Sequence, residues 1–142
     1  MRRFLVCGGL LLVTLAPAIA ATQTAPALPL DGTTWTVNVT PDAAAAAKGE
    51  KPFPDVLMFS AGRVAMSECL KYGFTASRYT TVKAGEGWTF TTEQTSEKMG
   101  KSIWSADIMG DSIKGTMVST KLDGTILNYS FSGKKAEKPA GK

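Results

Sequence analysis

Apolar and polar residues alternate along most of this chain in short runs. From Trp35 to Val39 every second residue is apolar, and strand-type patterns recur at Val64–Met66 and Arg78–Val82. An alternation of two is the period of a half-buried β-strand, because successive side chains point to opposite faces of the sheet. The pattern therefore predicts strands over most of the chain.

The densest series of strands lies between Trp88 and Gly133. Four strand-type runs in it are separated by small and polar residues that suit tight turns. The runs are Trp88–Thr92, Ile103–Ile108, Ser112–Met117 and Ile126–Phe131. With the earlier runs they make about eight short strands, with turn signals roughly every 8–12 residues. This spacing predicts an all-β fold built as an antiparallel meander.

Two all-β architectures fit such a meander, an up-and-down β-barrel and a β-sandwich. A sheet with free edges invites aggregation, and closing the sheet removes those edges. About eight strands is the number at which a small barrel holds its own side chains or one small ligand. We therefore predict an antiparallel up-and-down barrel, with the sandwich as the alternative because periodicity does not show closure.

Two segments interrupt the strand pattern. Ala43–Ala47 lies between a possible cap at Thr40 and a possible stop at Gly49, and Pro41 suits a first helical position. One short helix is therefore predicted after the first strand. The segment Ser67–Phe74 mixes charged and apolar residues without a period, and it predicts a bulge or an irregular crossing.

The first 20 residues have the three parts of a secretory signal peptide. Arg2 and Arg3 form a positive start, Phe4–Leu15 is apolar, and Ala18–Ala20 is a small-residue cleavage signal. The apolar run is too short to favour a spanning helix, which needs about 20 apolar residues. We expect an exported protein, periplasmic or extracellular, with no integral membrane segment after processing. The remaining predicted parts are a flexible lead-in (21–29), the barrel domain (30–133) and a disordered basic tail (134–142).

Charge and residue content exclude several functions. Lys and Arg number 16 against 12 Asp and Glu, but Arg2 and Arg3 are lost with the signal peptide and most of the remaining excess lies in the tail. A nucleic-acid-binding face is therefore not expected. The sequence has no histidine and no phosphate-binding or metal-ligand motif. We predict no cofactor, no bound metal and no enzymatic activity.

Cys69 is the cysteine that remains after loss of Cys7 with the signal peptide. A disulfide within one chain is then excluded, so the domain depends on its apolar core. A nucleophilic cysteine needs a base or a positive neighbour, and the usual histidine partner is missing. Cys69 is predicted to be buried as a small apolar side chain or to pair between chains.

Aromatic side chains are the candidate binding residues. Six of them fall on strand positions that share the predicted inner face, and a ligand inside the barrel would contact them. They are Trp35, Tyr79, Trp88, Phe90, Trp104 and Tyr129. The alternative is that the rings fill a barrel without a cavity. Gly115 either leaves space for a ligand or admits a ring, and Asp107 is predicted to face water.

The opening Leu30-Asp-Gly-Thr-Thr-Trp35 resembles the start of the first strand in lipocalin-like and avidin-like barrels. The glycine, turn and strand pattern through Ile113–Met117 and Tyr129–Gly133 is similar to that of small bacterial secreted domains of the same architecture. The resemblance implies a closed eight-stranded barrel. It also implies either a ligand-binding interior or a role such as protease inhibition.

Two functions follow from these observations. The first is binding of a small apolar or aromatic ligand inside the barrel. The second is a protein-interaction module, such as an inhibitor of an exported protease, in which a solid barrel displays a segment. Candidate segments are Ala21–Asp31 and Ala43–Pro54. The sequence indicates no oligomeric state.

Overall fold

The computed structural model of the protein describes residues 28–137. These residues form eight strands and two short helices. The strands are β1 (Thr34–Pro41), β2 (Phe53–Ser60), β3 (Arg63–Met66), β4 (Ser77–Ala84), β5 (Gly87–Ser96), β6 (Gly100–Met109), β7 (Ser112–Thr120) and β8 (Ile126–Lys135); the helices are α1 (Ala43–Ala47) and α2 (Ser67–Leu70). The predicted signal peptide, most of the predicted lead-in and residues 138–142 lie outside the described residues.

The strands form one closed barrel in chain order from β1 to β8. Each strand is antiparallel to its neighbours, and β1 closes the barrel by pairing with β8 from Trp35 opposite Lys135 to Pro41 opposite Tyr129. The predicted up-and-down barrel is confirmed, and the sandwich alternative is excluded. Closure gives every strand a partner on both sides.

The β3–β4 seam is the least paired part of the barrel. It has two residue pairs, Arg63 with Arg78 and Val64 with Ser77, whereas β5 and β6 share nine. Side chains supply hydrogen bonds that the ladder lacks there. Gln94 Nε2 donates to the carbonyls of Val64 (3.3 Å) and Thr75 (3.2 Å). The buried amide therefore links β3 to the segment that leads into β4.

The predicted inner and outer faces of β6 are confirmed. Trp104, Ala106 and Ile108 are buried, whereas Asp107 is exposed. The Asp107 carboxylate accepts a hydrogen bond from the Thr89 hydroxyl at 2.7 Å. Water and a neighbouring hydroxyl therefore solvate this carboxylate.

The predicted helix after the first strand is confirmed, but its cap is Asp42. The Asp42 carboxylate accepts from the backbone N–H of Ala45 at 2.8 Å. The expectation that Thr40 caps this helix is wrong, because Thr40 pairs with Ser130 in the β1–β8 ladder. The ladder extends the strand through Pro41, so the helix begins later than local residue preferences suggest.

Two other boundaries differ from the sequence expectations. The segment Ser67–Phe74, predicted to be irregular, begins with the helix α2, which packs beside β2 and β3. Strand β8 continues through Lys135, two residues past the predicted end of the barrel domain. Within residues 28–137, no helix has the length and apolar character needed to cross a membrane.

Candidate functional site

Five of the six predicted ligand-binding aromatics lie in the barrel core. Their exposed fractions are 2% for Trp35, 3% for Tyr79, 0% for Phe90, 0% for Trp104 and 7% for Tyr129. Four of the five rings contact the ring of another aromatic residue. The Phe59 ring lies 4.9 Å from Tyr79 and 5.2 Å from Phe90, close to perpendicular in both cases. The rings of Tyr79 and Phe90, which were expected to contact a ligand, therefore pack against Phe59 in the core.

Gly115 lies where the backbones of β6 and β7 approach closely. A Cβ at this position would overlap the Ser105 carbonyl oxygen and the Ala106 side chain. Gly133 shows the same relation to β1, because a Cβ there would overlap the Thr36 carbonyl oxygen. Gly115 therefore allows the backbone of β6 to approach closely. The two roles predicted from the sequence, space for a ligand or space for a ring, did not include this one.

Trp88 differs from the other predicted residues because it is half-buried, near the β4–β5 turn at one end of the barrel. The ammonium nitrogen of Lys83 lies 4.7 Å from the centre of the Trp88 ring. The same ammonium donates to the Glu86 carbonyl at 3.3 Å. A cation over an aromatic face is attracted by the charge distribution of the ring. This pair is an accessible aromatic site with a positive charge.

An open groove of about 860 Å³ lies outside the barrel, where the chain enters β1 and leaves β8. Its lining residues come from both ends of the described chain and from the β6–β7 turn: Asp31, Gly32, Thr33, Thr34, Asp111, Lys135, Ala136 and Glu137. None of the six predicted aromatics lines this groove. Within residues 28–137, no group of three His, Cys, Asp or Glu side chains is placed to hold a metal ion.

Asp31 holds the start of the chain against the barrel. Its carboxylate accepts from the Gly62 N–H at 3.0 and 3.1 Å, from the Leu28 N–H at 3.2 Å and from the Tyr79 hydroxyl at 2.9 Å. The hydrogen bond from the Gly62 N–H lowers the pKa of Asp31. Burial, and to a smaller extent the hydrogen bond to Asp31, raises the pKa of Tyr79. The contacts with Gly62 and Tyr79 join residues 31 and 48 positions apart, which the sequence pattern did not indicate.

Asp55 is a buried carboxylate that sequence reasoning missed, and 1% of it is exposed. It accepts from the Glu68 N–H (2.9 Å), the Ser67 hydroxyl (2.9 Å) and the Val56 N–H (2.7 Å). Met66, the residue immediately before α2, makes no side-chain hydrogen bond that caps the helix. Asp55 therefore caps α2 from β2. The sequence contains a signal for this burial, because Asp55 alternates with the apolar residues Leu57 and Phe59. This alternation places its carboxylate on the inner face of β2.

Cys69 lies beside this carboxylate. The thiol is free and buried, with its sulfur 3.9 Å from Asp55 Oδ2. Burial raises the pKa of Cys69 to about 12, and the Asp55 and Glu68 carboxylates add to the effect. A thiol in this environment is a poor nucleophile.

We predict that Cys69 is unreactive in the folded protein. A rise in the pKa from 9.0 to about 12 lowers the thiolate fraction at pH 8 about a thousandfold, because the neighbouring carboxylates and burial disfavour the anion. Titration with a disulfide reagent should therefore detect this thiol in urea and not in native buffer. Equal reaction rates in both conditions would contradict the assignment.

The outer surface of the barrel carries a cluster of five apolar side chains near the β5–β6 and β7–β8 turns. We call it the β6–β8 apolar face: Met99, Ile103, Val118, Leu122 and Ile126. Val118 is half-buried, and the other four are 38%, 36%, 68% and 57% exposed in chain order.

Strand register brings the members of this face together. Ile103 is paired with Val118, and Ile126 is paired with Thr120, which places Ile126 diagonally across from Val118. The two turns are also adjacent, because a Cβ on Gly100 would contact the backbone of Leu122. The sequence has apolar residues at outward positions of these strands. Only the strand register shows that they lie on the same side of the barrel.

Comparison with known proteins adds no family assignment. The chain matches no protein-family model, no curated protein and no solved structure. The resemblance to lipocalin-like barrels therefore extends to the general shape, a closed eight-stranded antiparallel barrel.

Proposed function

We propose that this protein is an exported, non-enzymatic protein-interaction module. In this proposal the packed barrel is a scaffold, and the β6–β8 apolar face binds an exported protein partner. The observation that carries it is the exposure of Met99, Ile103, Leu122 and Ile126 on one side of the barrel. A group of exposed apolar side chains on one side of a domain is typical of an interaction surface. The outward side chains of Lys101, Thr120 and Asn128 lie among them.

The contrast with the adjacent surface supports this choice. A neighbouring outward row across the same strands consists of hydroxyl side chains, with Thr91 opposite Ser105, Ser105 opposite Thr116 and Thr116 opposite Ser130. Such a row is the ordinary solvent face of an antiparallel strand. The apolar face departs from that rule on β6, β7 and β8. Leu30–Trp35 and the barrel shape also support a place among lipocalin-like barrels, some of which inhibit proteases.

Site-directed photo-cross-linking tests the proposal. We expect a benzophenone attached at Ile126→Cys to form adducts with a protein from the exported fraction of the source cells. The same label at Val82→Cys is the matched control, because Val82 is 67% exposed on β4 and outside the face. Cys69 is buried and does not compete for the label. Equal adducts from both positions, or none from either, would contradict the proposal.

A small-ligand function is the second candidate, and the Trp88–Lys83 pair favours it. The accessible part of the half-buried Trp88 ring offers a stacking surface, and the ammonium 4.7 Å from its centre attracts an anion. The ligand class that suits both groups is an aromatic carboxylate. This proposal keeps the binding function expected from the sequence but moves it from the interior to the end of the barrel.

Tryptophan fluorescence tests this second candidate. We expect titration with benzoate to quench Trp88 emission in a saturable way, whereas the buried Trp35 and Trp104 respond little. Trp88→Phe should remove the saturable component, and Lys83→Met should weaken it about tenfold by removing the cation. Quenching that is linear, or that persists in Trp88→Phe, would overturn the candidate.

A further inference from the structure

We propose that residues 22–27 of this chain dock along a free edge of β4, as an additional strand of the sheet. The edge consists of Thr81 and Lys83, whose backbone groups face the β3 side of the strand. It lies at the β4–β5 turn, at the opposite end of β5 from the turn that borders the β6–β8 apolar face. The proposal therefore goes beyond the interaction function, because it names a different surface and an occupant from the same chain.

Strand β4 is paired on both sides over only part of its length. β5 pairs with it from Tyr79 to Ala84. β3 pairs with it at Ser77 and Arg78. The turn between β2 and β3 then lies beside it, because the Tyr79 N–H donates to the Gly62 carbonyl at 3.3 Å. Beyond this point, within residues 28–137, no strand pairs with β4 on its β3 side.

The hydrogen bond from Tyr79 also shows which backbone groups face the open side. The N–H and C=O of successive residues in a strand point alternately toward its two sides. Since the Tyr79 N–H points toward β3, the backbone groups of Thr81 and Lys83 point the same way. The Arg78 carbonyl agrees with this alternation, because it accepts from the Thr92 hydroxyl on β5 at 2.8 Å. Two donors and two acceptors therefore lack a backbone partner among the described residues, and such an edge attracts another strand.

The described chain begins beside this edge. The Leu28 side chain lies against the β2–β3 turn, since a Cβ on Gly62 would be 3.8 Å from its Cδ1 atom. The Asp31 carboxylate accepts from the Gly62 N–H at 3.0 Å and from the Tyr79 hydroxyl at 2.9 Å. These contacts hold Leu28 next to the point where β3 stops pairing with β4. Six residues of extended chain span about 20 Å, which is enough to pass Thr81 and reach the end of β4.

Pro26 restricts how the segment pairs. Proline has no N–H to donate, so in an edge strand it lies where the backbone faces away from the neighbouring strand. The residues on either side of it, Ala25 and Ala27, then face β4 with their backbone groups, as Gln23 does. The segment leads toward Leu28 whereas β4 leads away from it, so the two strands pair antiparallel.

The side chains of the segment suit this pairing. In an antiparallel pair, residues that lie opposite each other point to the same face of the sheet. The alanines at 25 and 27 then share the inner face with Thr81, where they need little space. The threonines at 22 and 24 share the outer face with Val82, which is 67% exposed. Threonine is favoured on the surface of a sheet.

Charge favours this segment over the C-terminal tail as the occupant. The edge is flanked by three exposed cations, Arg63, Arg78 and Lys83. Arg63 and Arg78 lie directly opposite each other across the β3–β4 seam. Residues 22–27 carry no charge, whereas residues 138–142 carry two lysines. Like charges oppose association, so the neutral segment is the better occupant of this edge.

Amide hydrogen exchange measured by NMR tests the proposal, with the chain from residue 21 compared with a shorter chain that begins at Leu28. We expect the Thr81 and Lys83 amides to exchange at least about tenfold more slowly in the longer chain. The Thr80 and Val82 amides, which face β5, should exchange equally in both. Equal exchange of Thr81 and Lys83 in the two chains would overturn the proposal. Protection that rises with protein concentration would also overturn it, because the added strand would then come from a second copy.

Two proline variants provide a matched control. Ala25→Pro removes an N–H that faces β4, so the Thr81 and Lys83 amides should exchange about as fast as in the shorter chain. Thr24→Pro places a proline where the backbone faces away from β4 and should keep the protection. Both changes lie outside the barrel residues, and unchanged exchange of the β5-facing amides would verify that the fold is intact. Equal loss of protection in both variants, or loss in neither, would contradict the docking. The result is independent of cross-linking at Ile126→Cys, so the two proposals fail separately.

Discussion

Replacing Trp104 by alanine is expected to lower the free energy of unfolding by about 3–5 kcal/mol. Trp104 is 0% exposed, its ring lies 5.0 Å from that of Phe131, and its indole N–H donates to the Ser102 hydroxyl at 3.2 Å. Removing the ring leaves a cavity in the core, and the buried Ser102 hydroxyl loses the hydrogen bond that it accepts from the indole. Urea unfolding followed by far-UV circular dichroism measures the change.

Trp88→Ala is the matched control for this variant, because the same side chain is removed at a half-buried position. We expect it to cost about 1–2 kcal/mol, since the Trp88 ring has less apolar surface buried in the core. The difference between the two variants measures how far the barrel interior depends on its own rings. Equal costs would contradict the packed scaffold on which the proposed function depends.

Asp55→Ala is expected to cost about 2–4 kcal/mol of stability, because it leaves the Glu68 N–H and the Ser67 hydroxyl without their acceptor in a buried place. Asp55→Asn should cost less, since its amide oxygen can still accept from Glu68. Asp107→Ala, which removes an exposed carboxylate from β6, is the control and should change stability by about 0.5 kcal/mol or less. Similar losses for Asp55→Ala and Asp107→Ala would contradict the capping role.

The stability difference between the wild type and Asp55→Asn is expected to depend on pH. Burial raises the pKa of Asp55 above its usual 3.8, outweighing the hydrogen bonds that lower it. The folded state therefore binds this proton more tightly than the unfolded state does. That contribution is fully present below pH 3.8 and is lost as pH rises through the raised pKa.

The wild type should accordingly lose stability relative to Asp55→Asn as pH rises from about 4 through the raised pKa of Asp55. The lowered pKa of Asp31 acts in the opposite direction, because its contribution is lost as pH falls through its folded value. Asp31 is present in both proteins, so the comparison cancels it. Urea unfolding of both proteins across this range measures the difference. A gap that is constant with pH, or that changes with the opposite sign, would contradict the assignment to Asp55.

The sequence by itself determined the class of fold and much of its detail. The alternation from Trp35 to Val39 and from Ile103 to Ile108 places apolar side chains on one face of each strand, and this property belongs to the local chain. Turn residues such as Gly110 and Asp111 mark where the chain reverses. These local signals predict the strands, their inner faces and the six aromatic positions, because side-chain direction in a strand depends on position alone.

The tertiary structure decided how these strands and side chains meet. Closure depends on β1 meeting β8 at opposite ends of the chain, and the Asp31–Tyr79 and Asp55–Glu68 contacts join residues 48 and 13 positions apart. The β6–β8 apolar face depends on the register of three strands and on two turns that lie side by side. Periodicity assigns a side chain to a face of its strand but not to its neighbours on that face. Those neighbours decide whether a side chain packs in the core, caps a helix or stays exposed on the surface.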